Sequence, residues 1–524
     1  MRQYLVAVDV GTGSARAGVF DRNGIMLSRT THPIIMHRPR ENHAEHDSED
    51  IWNAVCLSVR GALAQAAIPA QSVAAIGFDA TCSLVARGKS GEQVSVSTSG
   101  EDRFDTIVWL DHRGIAEADF LTASGHPVLD FAGGSISPEM QMPKLMWLKK
   151  HLPQSWARSG HFFDLADFLT WKATGSTARS NCTLTAKWNF LAHEQQGWRR
   201  DYLELAGISD LLQQGSLPDV TVEPGKAIAP LSEKAAQELG LDTGCQVAAG
   251  MIDAYAGALG ALGGSLSADV GRNVALIAGT SSCLVVLTPQ QMQGHSLWGP
   301  YWQAVLSGHW LVEGGQSATG ALLDHIVRMH PAGGEPDAAL HGRIVKRVQA
   351  LRETEGEAFA SRLHVLPDFH GNRSPLADPH ARGVISGLTL DTSFDSLCAL
   401  YWRTAVSIAL STRHVLEAME GFGYETSTLH VAGGHIHNPL LMELYADVTG
   451  RRVVVPRTSD AVLLGTAMNA ASAGHVHKSL VEAGTAMYPG FEELAPNVER
   501  AKIYERDYKR FLAMYQHREE LDQI

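Results

Sequence analysis

Residues 4–20 read YLVAVDVGTGSARAGVF, and the order of apolar and turn residues in this stretch decides the fold. Leu5, Val6, Ala7 and Val8 form a short apolar run of the kind a buried strand shows. Asp9 follows, then a tight turn of Gly11, Thr12, Gly13 and Ser14, then Arg16, and residues 17–20 resume an apolar run. Asp21-Arg22-Asn23-Gly24 has strong turn chemistry. The stretch therefore predicts strand, turn, strand, turn, and a third strand over residues 25–31. The first turn has the parts needed to hold a polyphosphate. Glycines let backbone N–H groups approach phosphate oxygens, Thr12 and Ser14 add hydroxyl donors, and Arg16 adds positive charge. Asp9, at the strand end, is placed to orient a hydrated Mg2+. A Rossmann turn fits badly, because the third glycine of GxGxxG falls at Arg16 and the next element is a strand. A P-loop string is absent. A plain glycine hairpin between two core strands accounts for the same residues.

A second copy shifts the balance toward the nucleotide reading. Residues 274–287, VALIAGTSSCLVVL, repeat the pattern around Gly279, Thr280, Ser281 and Ser282. Two such hairpins facing each other would clamp a nucleotide from both sides. Ile277 stands where the first copy has Asp9, so only the first half brings a carboxylate to a metal. DAYAGALGA at 253–261 and DAVLLGTAMNA at 460–470 are a further echo. Both predict small-residue helices that open on Asp-Ala and pack closely.

The chain has 524 residues, which predicts two or three domains, and 45% hydrophobic content gives ample core. A net charge of −13 argues against nucleic acid and anionic membranes as partners. The six cysteines lie far apart without a CxxC, as expected of reduced thiols in a cytoplasmic protein. No signal peptide is expected at the start, and no uncharged apolar run reaches the ~18 residues of a membrane span.

Along the chain, His43 and His46 beside Asp47 suggest a metal site, but Asp47 and Ser48 read better as caps of an amphipathic helix carrying Ile51, Trp52, Val55 and Val59. A strand over 73–78 ends in Asp79-Ala80-Thr81-Cys82-Ser83, and a strand over 106–110 runs into Asp111-His112-Arg113. Polar residues at strand ends line ligand clefts; turns and caps look the same. Residues 138–172 predict amphipathic helix with Trp147, Phe162, Phe163 and Trp171 as core. Lys187 in LTAKWNF reads as an ordinary surface lysine. Asp253 reads as the N-cap of its helix or as a catalytic carboxylate. The second half begins near Ala268, residues 331–358 predict a polar surface insertion, and helix resumes over 393–419. Gly433 and Gly434 follow a strand and allow a flat base or ribose to lie against backbone. The stripe of Tyr504, Tyr508, Phe511 and Tyr515 in a tail helix reads as packing.

The pattern resembles the FGGY family of carbohydrate kinases, of the actin-like ATPase fold class, over about residues 4–515. The pieces that carry the likeness occur in order: DVGTGSAR, AEHDSEDIW, FDATCSL, VWLDHRG, MIDAYAGALG, AGTSS, EGGQSATG, GNRSPLADPHARGVISGLT and VAGGHIHNPLLMELYADVTG. The resemblance implies an α/β chain of two ribonuclease-H-like domains with a cleft between them. They would be a sugar-binding domain over 1–265 and a nucleotide-binding domain over 266–475, with a helical tail over 476–524. It implies MgATP as cofactor, Asp253 as catalytic base and Asp9 at the metal. Gly11, Thr12, Gly13, Ser14 and Arg16 would form the first phosphate loop, Gly279, Thr280 and Ser281 the second, and Gly433, Gly434 and Asn438 the adenosine site. FDATCSL is similar to the pentulose-kinase branch, D-ribulokinases most of all. By that match Asp79, Ser83, Asp111, Lys187 and Glu313 line the sugar pocket with Asp253. The implied substrate is D-ribulose, with L-ribulose, D-xylulose or another polyol as alternatives. A nucleotide-gated binding or sensor protein of the same fold is the second alternative. Family habit makes a homodimer plausible and implies no nucleic acid or membrane partner.

Overall fold

The computed structural model describes residues 2–267 and 269–524; Met1 and Ala268, the expected start of the second half, lie outside them. The chain divides into two compact units. The first comprises Met1–Val270, Leu287–Val312 and Thr458–Gly490, and the second Gly271–Val286, Glu313–Arg457 and Phe491–Ile524. Cuts near residues 265 and 475 do not describe this division, because the chain returns to the first unit twice.

In the first unit the opening stretch forms β1 (Tyr4–Val10), β2 (Ser14–Phe20) and β3 (Met26–Pro33), paired antiparallel as the turn chemistry requires. Helix α1 (Ser48–Ala66) follows, capped by Asp47, whose carboxylate accepts the Glu49 and Asp50 amides. Strand β4 (Val73–Ala80) then lies parallel to β1. The sheet is completed by β5 (Ala227–Pro230) and β6 (Gln246–Ala248) in the order β3-β2-β1-β4-β6-β5, with the two-residue β7 (Met251–Ile252) also on β4. Helix α2 (Asp253–Leu262) leaves β7 directly.

Alternation along the strands sorts the two faces of this sheet. Val6, Val8 and Val10 share a buried core with Ile51, Trp52, Val55 and Val59 of α1. Asp9, Arg16, Gly18, Gly77 and Asp79 belong to the opposite face, which the helix Ala461–Ala473 covers. There a Cβ on Gly77 would come within 2.8 Å of the Thr466 carbonyl oxygen, and one on Gly18 within 3.4 Å of Leu463. That covering explains why Thr458–Gly490 packs with the first unit.

The second unit repeats the plan. Strands β8 (Asn273–Ala278) and β9 (Ser282–Thr288) form an antiparallel hairpin. Strand β10 (Trp310–Gln316) lies beyond β9. The long helix α3 (Phe394–Gly421) precedes β11 (Thr428–Ala432), which runs parallel to β8. Helix α4 (Pro439–Thr449), β12 (Arg452–Pro456) and β13 (Phe491–Leu494) follow, giving the order β10-β9-β8-β11-β12-β13. An antiparallel hairpin whose first strand is flanked by two successive parallel strands is thus common to both units, as a duplicated ribonuclease-H-like domain requires.

Some expectations fail locally. Phe162 and Phe163 sit on a strand, Ser159–Asp164, between helices Pro153–Arg158 and Leu165–Thr174, because residue 159 onward pairs with Leu84–Gly88. The strand over 106–110 is only Thr106–Ile107. The segment 331–358 contains the helix Ala338–Glu355, anchored by Ile344, Val345, Val348 and Leu351. Among the described residues no helix is long and apolar enough to cross a membrane.

Candidate active site

The first unit gathers its chemistry at the ends of β1, β2, β4 and β7. Asp9 and Arg16 are register partners across the hairpin, and their side chains form an ion pair. Arg16 Nη1 also lies 3.3 Å from Asp460 Oδ2. Asp460 is the N-cap of helix Ala461–Ala473, its Oδ1 accepting the Leu463 amide at 3.1 Å. The turn between the two strands is closed by the Gly11 N–H donating to the Ser14 carbonyl at 3.0 Å. A side chain on Gly13 would meet nothing within 4 Å, so the backbone there is bare toward an incoming group. Trp109 Nε1 donates to Thr12 Oγ1 at 2.9 Å and holds that hydroxyl in place.

Asp79 is the register neighbour of both Asp9 and Met251, the latter two residues before Asp253. It is fully buried; its Oδ2 accepts the Thr466 hydroxyl, and its Oδ1 has no hydrogen-bond partner. Burial holds its carboxyl well above the usual 3.8, the Thr466 hydrogen bond opposes that shift, and the charge of Asp253 adds to it. Asp253 opens α2 without being its cap: the N-cap is Ile252, and Asp253 Oδ1 accepts the Ala254 amide at 2.7 Å.

Behind this row, Ser83 Oγ accepts the Trp109 amide at 3.1 Å, and the Ser83 carbonyl accepts the Leu165 amide at 2.9 Å. Lys187 ends the helix Asn181–Lys187 and is only 3% exposed, so it is no surface lysine. Its ammonium lies 4.2 Å from the centre of the Trp298 ring, and Cys182 Sγ on the same helix accepts the Ile252 amide at 3.4 Å. The fully buried Asp164 stands on the same wall. Burial and the charge of Asp167 raise its carboxyl to about 7, while Gln141, Trp188 and Lys187 pull it down.

Asp111 is differently engaged. Arg113 donates to both its oxygens, at 2.9 and 2.7 Å, and the Ala44 amide donates to Oδ2 at 2.6 Å. Arg113 also donates to Glu45 Oε1 at 2.8 Å, so Glu45, Arg113 and Asp111 form a fully buried ionic triad. His46 beside it is buried, and burial lowers its imidazole to about 4.

In the second unit the turn at Gly279, Thr280 and Ser281 is clamped from behind. The Thr319, Gly320 and Ala321 amides donate to the Thr280 and Gly279 carbonyls at 2.9–3.1 Å, and Ser282 Oγ meets Thr319 Oγ1 at 2.9 Å. Gly279 itself is open, since a Cβ there would touch nothing within 4 Å. Gly433, at φ +94°, leaves β11 so close to β8 that a Cβ would fall 2.4 Å from the Ala278 carbonyl oxygen; Gly434 beyond it faces open space. Asn438 caps α4 through the Leu440 amide at 3.1 Å, and its Nδ2 donates to Tyr401 at 3.3 Å. Glu313 on β10 is buried, its Oε1 accepting the Cys283 thiol at 3.2 Å. The expected residues thus fall into two groups. Asp9, Gly11, Thr12, Gly13, Ser14, Arg16, Asp79, Ser83, Asp111, Lys187 and Asp253 lie in the first unit, and Gly279, Thr280, Ser281, Glu313, Gly433, Gly434 and Asn438 in the second.

Sequence reasoning did not single out Asp460 or Trp109 for the site. The Asp-Ala opening at 460 and the VWLDHR string were the signals available for them. Among the described residues no group of three or more His, Cys, Asp or Glu forms a metal cage. Asp9 and Asp79 offer neighbouring carboxylates, one with a buried oxygen lacking a partner, which suits Mg2+ carried mainly by phosphate and water.

Comparison with known proteins agrees along the whole chain. The profile of the N-terminal domain of the FGGY family of carbohydrate kinases matches residues 4–260, and that of its C-terminal domain matches residues 274–474. A human FGGY carbohydrate kinase domain-containing protein is 38% identical over 99% of this chain and 97% of its own length. A D-ribulokinase of Saccharomyces cerevisiae is 37% identical over 90% of this chain and 72% of its own length. In fold, a xylulose kinase from Rhodospirillum rubrum superposes with a TM-score of 0.80 at 21% identity, covering 100% of both chains.

Proposed function

The chain belongs to the FGGY family of carbohydrate kinases, ATP-dependent enzymes acting on sugars, and we propose that it phosphorylates the terminal hydroxyl of a ketopentose, converting D-ribulose to D-ribulose 5-phosphate. The 37% identity to a D-ribulokinase supports the choice of sugar. The observation that supports the reading is the burial of Lys187, only 3% exposed, at the end of the helix whose Cys182 Sγ accepts the amide of Ile252, the residue before Asp253. Burying an ammonium is costly, and a polyol pocket gives a reason for it.

A sugar hydroxyl is a poor nucleophile and needs a carboxylate to take its proton as the γ-phosphoryl group moves. Asp253 is that base. Lys187, Asp79, Ser83 and Glu313 hold the remaining hydroxyls and carbonyl, and Asp111, locked by Arg113, shapes the wall. Arg16 and the backbone of the turns at 11–14 and 279–281 neutralise phosphate charge, and Gly433, Gly434 and Asn438 receive the adenosine. Asp9 would hold Mg2+, which when bound neutralises phosphate charge.

ADP release is measured with MgATP and, separately, D-ribulose, L-ribulose, D-xylulose, L-xylulose, glycerol and ribitol. Strong stimulation by D-ribulose alone is expected; preference for another polyol would move the error to residues 79–84, 187 and 313. Asp253→Ala should lose roughly 10^2–10^4-fold in turnover while still binding nucleotide. Retained turnover in that variant refutes its role as base.

A further inference from the structure

The segment GNRSPLADP at 371–379 has no place in the roles given so far. It is a built loop. The Asn372 amide donates to the Asp378 carbonyl at 2.8 Å and the Asp378 amide returns to Asn372 at 2.9 Å. Asn372 Oδ1 accepts the Leu376 amide at 3.0 Å. Asp368 holds the loop from below, accepting Asn372 Nδ2 at 3.0 Å and Arg518 Nη1 at 2.6 Å. The Ser374 amide donates to the Gly315 carbonyl at 3.1 Å and fastens the loop to β10.

This scaffold fixes one side chain, Arg373. Its side chain is 9% exposed. It lies flush on Gly315, where a Cβ would fall 2.9 Å from Arg373 Cδ and 3.1 Å from both Arg373 Nη1 and the Ser282 carbonyl oxygen. A glycine at 315 is therefore what lets the arginine reach forward. Arg373 Nη1 donates to Cys283 Sγ at 3.7 Å and stands 4.0 Å from Glu313 Oε1. One cation thus stands between Cys283, the residue that follows the 279–282 turn, and Glu313.

We propose that Arg373 is a further catalytic residue, whose guanidinium contacts the phosphoryl group in transfer. The assignment rests on the functional reading above, in which the 279–281 turn holds nucleotide phosphate and Glu313 holds the sugar. A cation set between Cys283, which directly follows that turn, and Glu313 is placed where the group leaving one meets the other. In the step, the bond from the γ-phosphorus to its bridging oxygen breaks and a bond from that phosphorus to the sugar oxygen forms. The hydroxyl proton goes to Asp253, and Arg373 keeps its protons and supplies only charge and hydrogen bonds to the equatorial oxygens. A purely structural arginine would instead serve as the counter-ion of Glu313.

The test is steady-state kinetics of Arg373→Ala and Arg373→Lys with MgATP and D-ribulose, alongside calorimetric binding of MgADP. For Arg373→Ala we expect kcat to fall at least about a hundredfold. KM for D-ribulose and Kd for MgADP should stay within about fivefold, and added guanidinium ion should restore part of kcat. Arg373→Lys keeps the charge without the planar fork, and provides the same readout if the alanine variant does not fold; a loss of about tenfold in kcat is expected. If kcat stays within threefold, or only KM for the sugar rises, the assignment is overturned and Arg373 is a counter-ion. If the unsubstituted protein responds to no polyol, the functional reading itself is overturned, and this inference with it.

Discussion

Gly465→Ala tests the packing that underlies the first unit. Helices α2 and Ala461–Ala473 approach through glycines on each. A Cβ on Gly465 would stand 1.9 Å from the Ala256 carbonyl oxygen and 2.7 Å from the Gly260 amide, and one on Gly260 would stand 2.0 Å from the Ala461 carbonyl oxygen. The obstacle in each case is backbone, which no rotamer change relieves, so the helices must separate by roughly an ångström. Overpacking of this kind costs about 1–3 kcal/mol, and the rigid neighbours place this case at the upper end. Alanine returns about 0.5–1 kcal/mol through its better helix propensity, leaving a net loss of about 2 kcal/mol. For a unit of this size that is a fall of roughly 3 °C in Tm. The internal control is Gly342→Ala, on the exposed face of helix Ala338–Glu355, where a Cβ meets nothing within 4 Å; there propensity acts alone and Tm should hold or rise. Differential scanning calorimetry of the two variants gives the answer. If Gly465→Ala melts with or above the unsubstituted protein, the close approach of the two helices is not what holds them.

Arg113→Ala leaves Glu45 and Asp111 buried without their cation, and should cost about 3–5 kcal/mol, read from chemical denaturation. Asp164 has a folded-state carboxyl near 7 against an ordinary 3.8. The folded protein therefore binds the extra proton, its contribution is present at low pH, and stability is lost as pH rises from about 4 to about 7. Asp164→Asn should flatten that slope in melts taken across the range; an unchanged slope would refute the assignment. Trp109→Phe removes the donor to Thr12 Oγ1, with an expected cost of about 1 kcal/mol and a weaker grip on MgATP, measured by calorimetric titration.

The strand–turn–strand unit was legible because its information is local: alternation and turn chemistry within a dozen residues fix β1, β2 and their counterparts β8 and β9. Asp47 as the cap of α1 was legible for the same reason. What escaped depends on partners far along the chain. Lys187 lies within a short polar string, and only a ring 111 residues away tells that it is buried. Asp460 reaches Arg16 across 444 residues. The strand Ser159–Asp164 hid in a helical pattern because its pairing partner, Leu84–Gly88, decides its conformation. The helix Ala338–Glu355 looked like polar insertion because only four of its residues face the core. Asp253 looked like a cap because carboxylates favour that position, yet Ile252 occupies it.

The return of Thr458–Gly490 to the first unit bears on how the chain is made. When the ribosome has delivered β1 and β4, the helix that covers Gly18, Gly77 and Asp79 is still hundreds of residues from being synthesised. One face of the first sheet must wait uncovered while most of the second unit emerges. Folding of the first unit is therefore completed late in translation, and the nascent chain needs protection during that interval. The same interval makes a fragment ending near residue 265 a poor choice for expression, since it would hold that face open permanently.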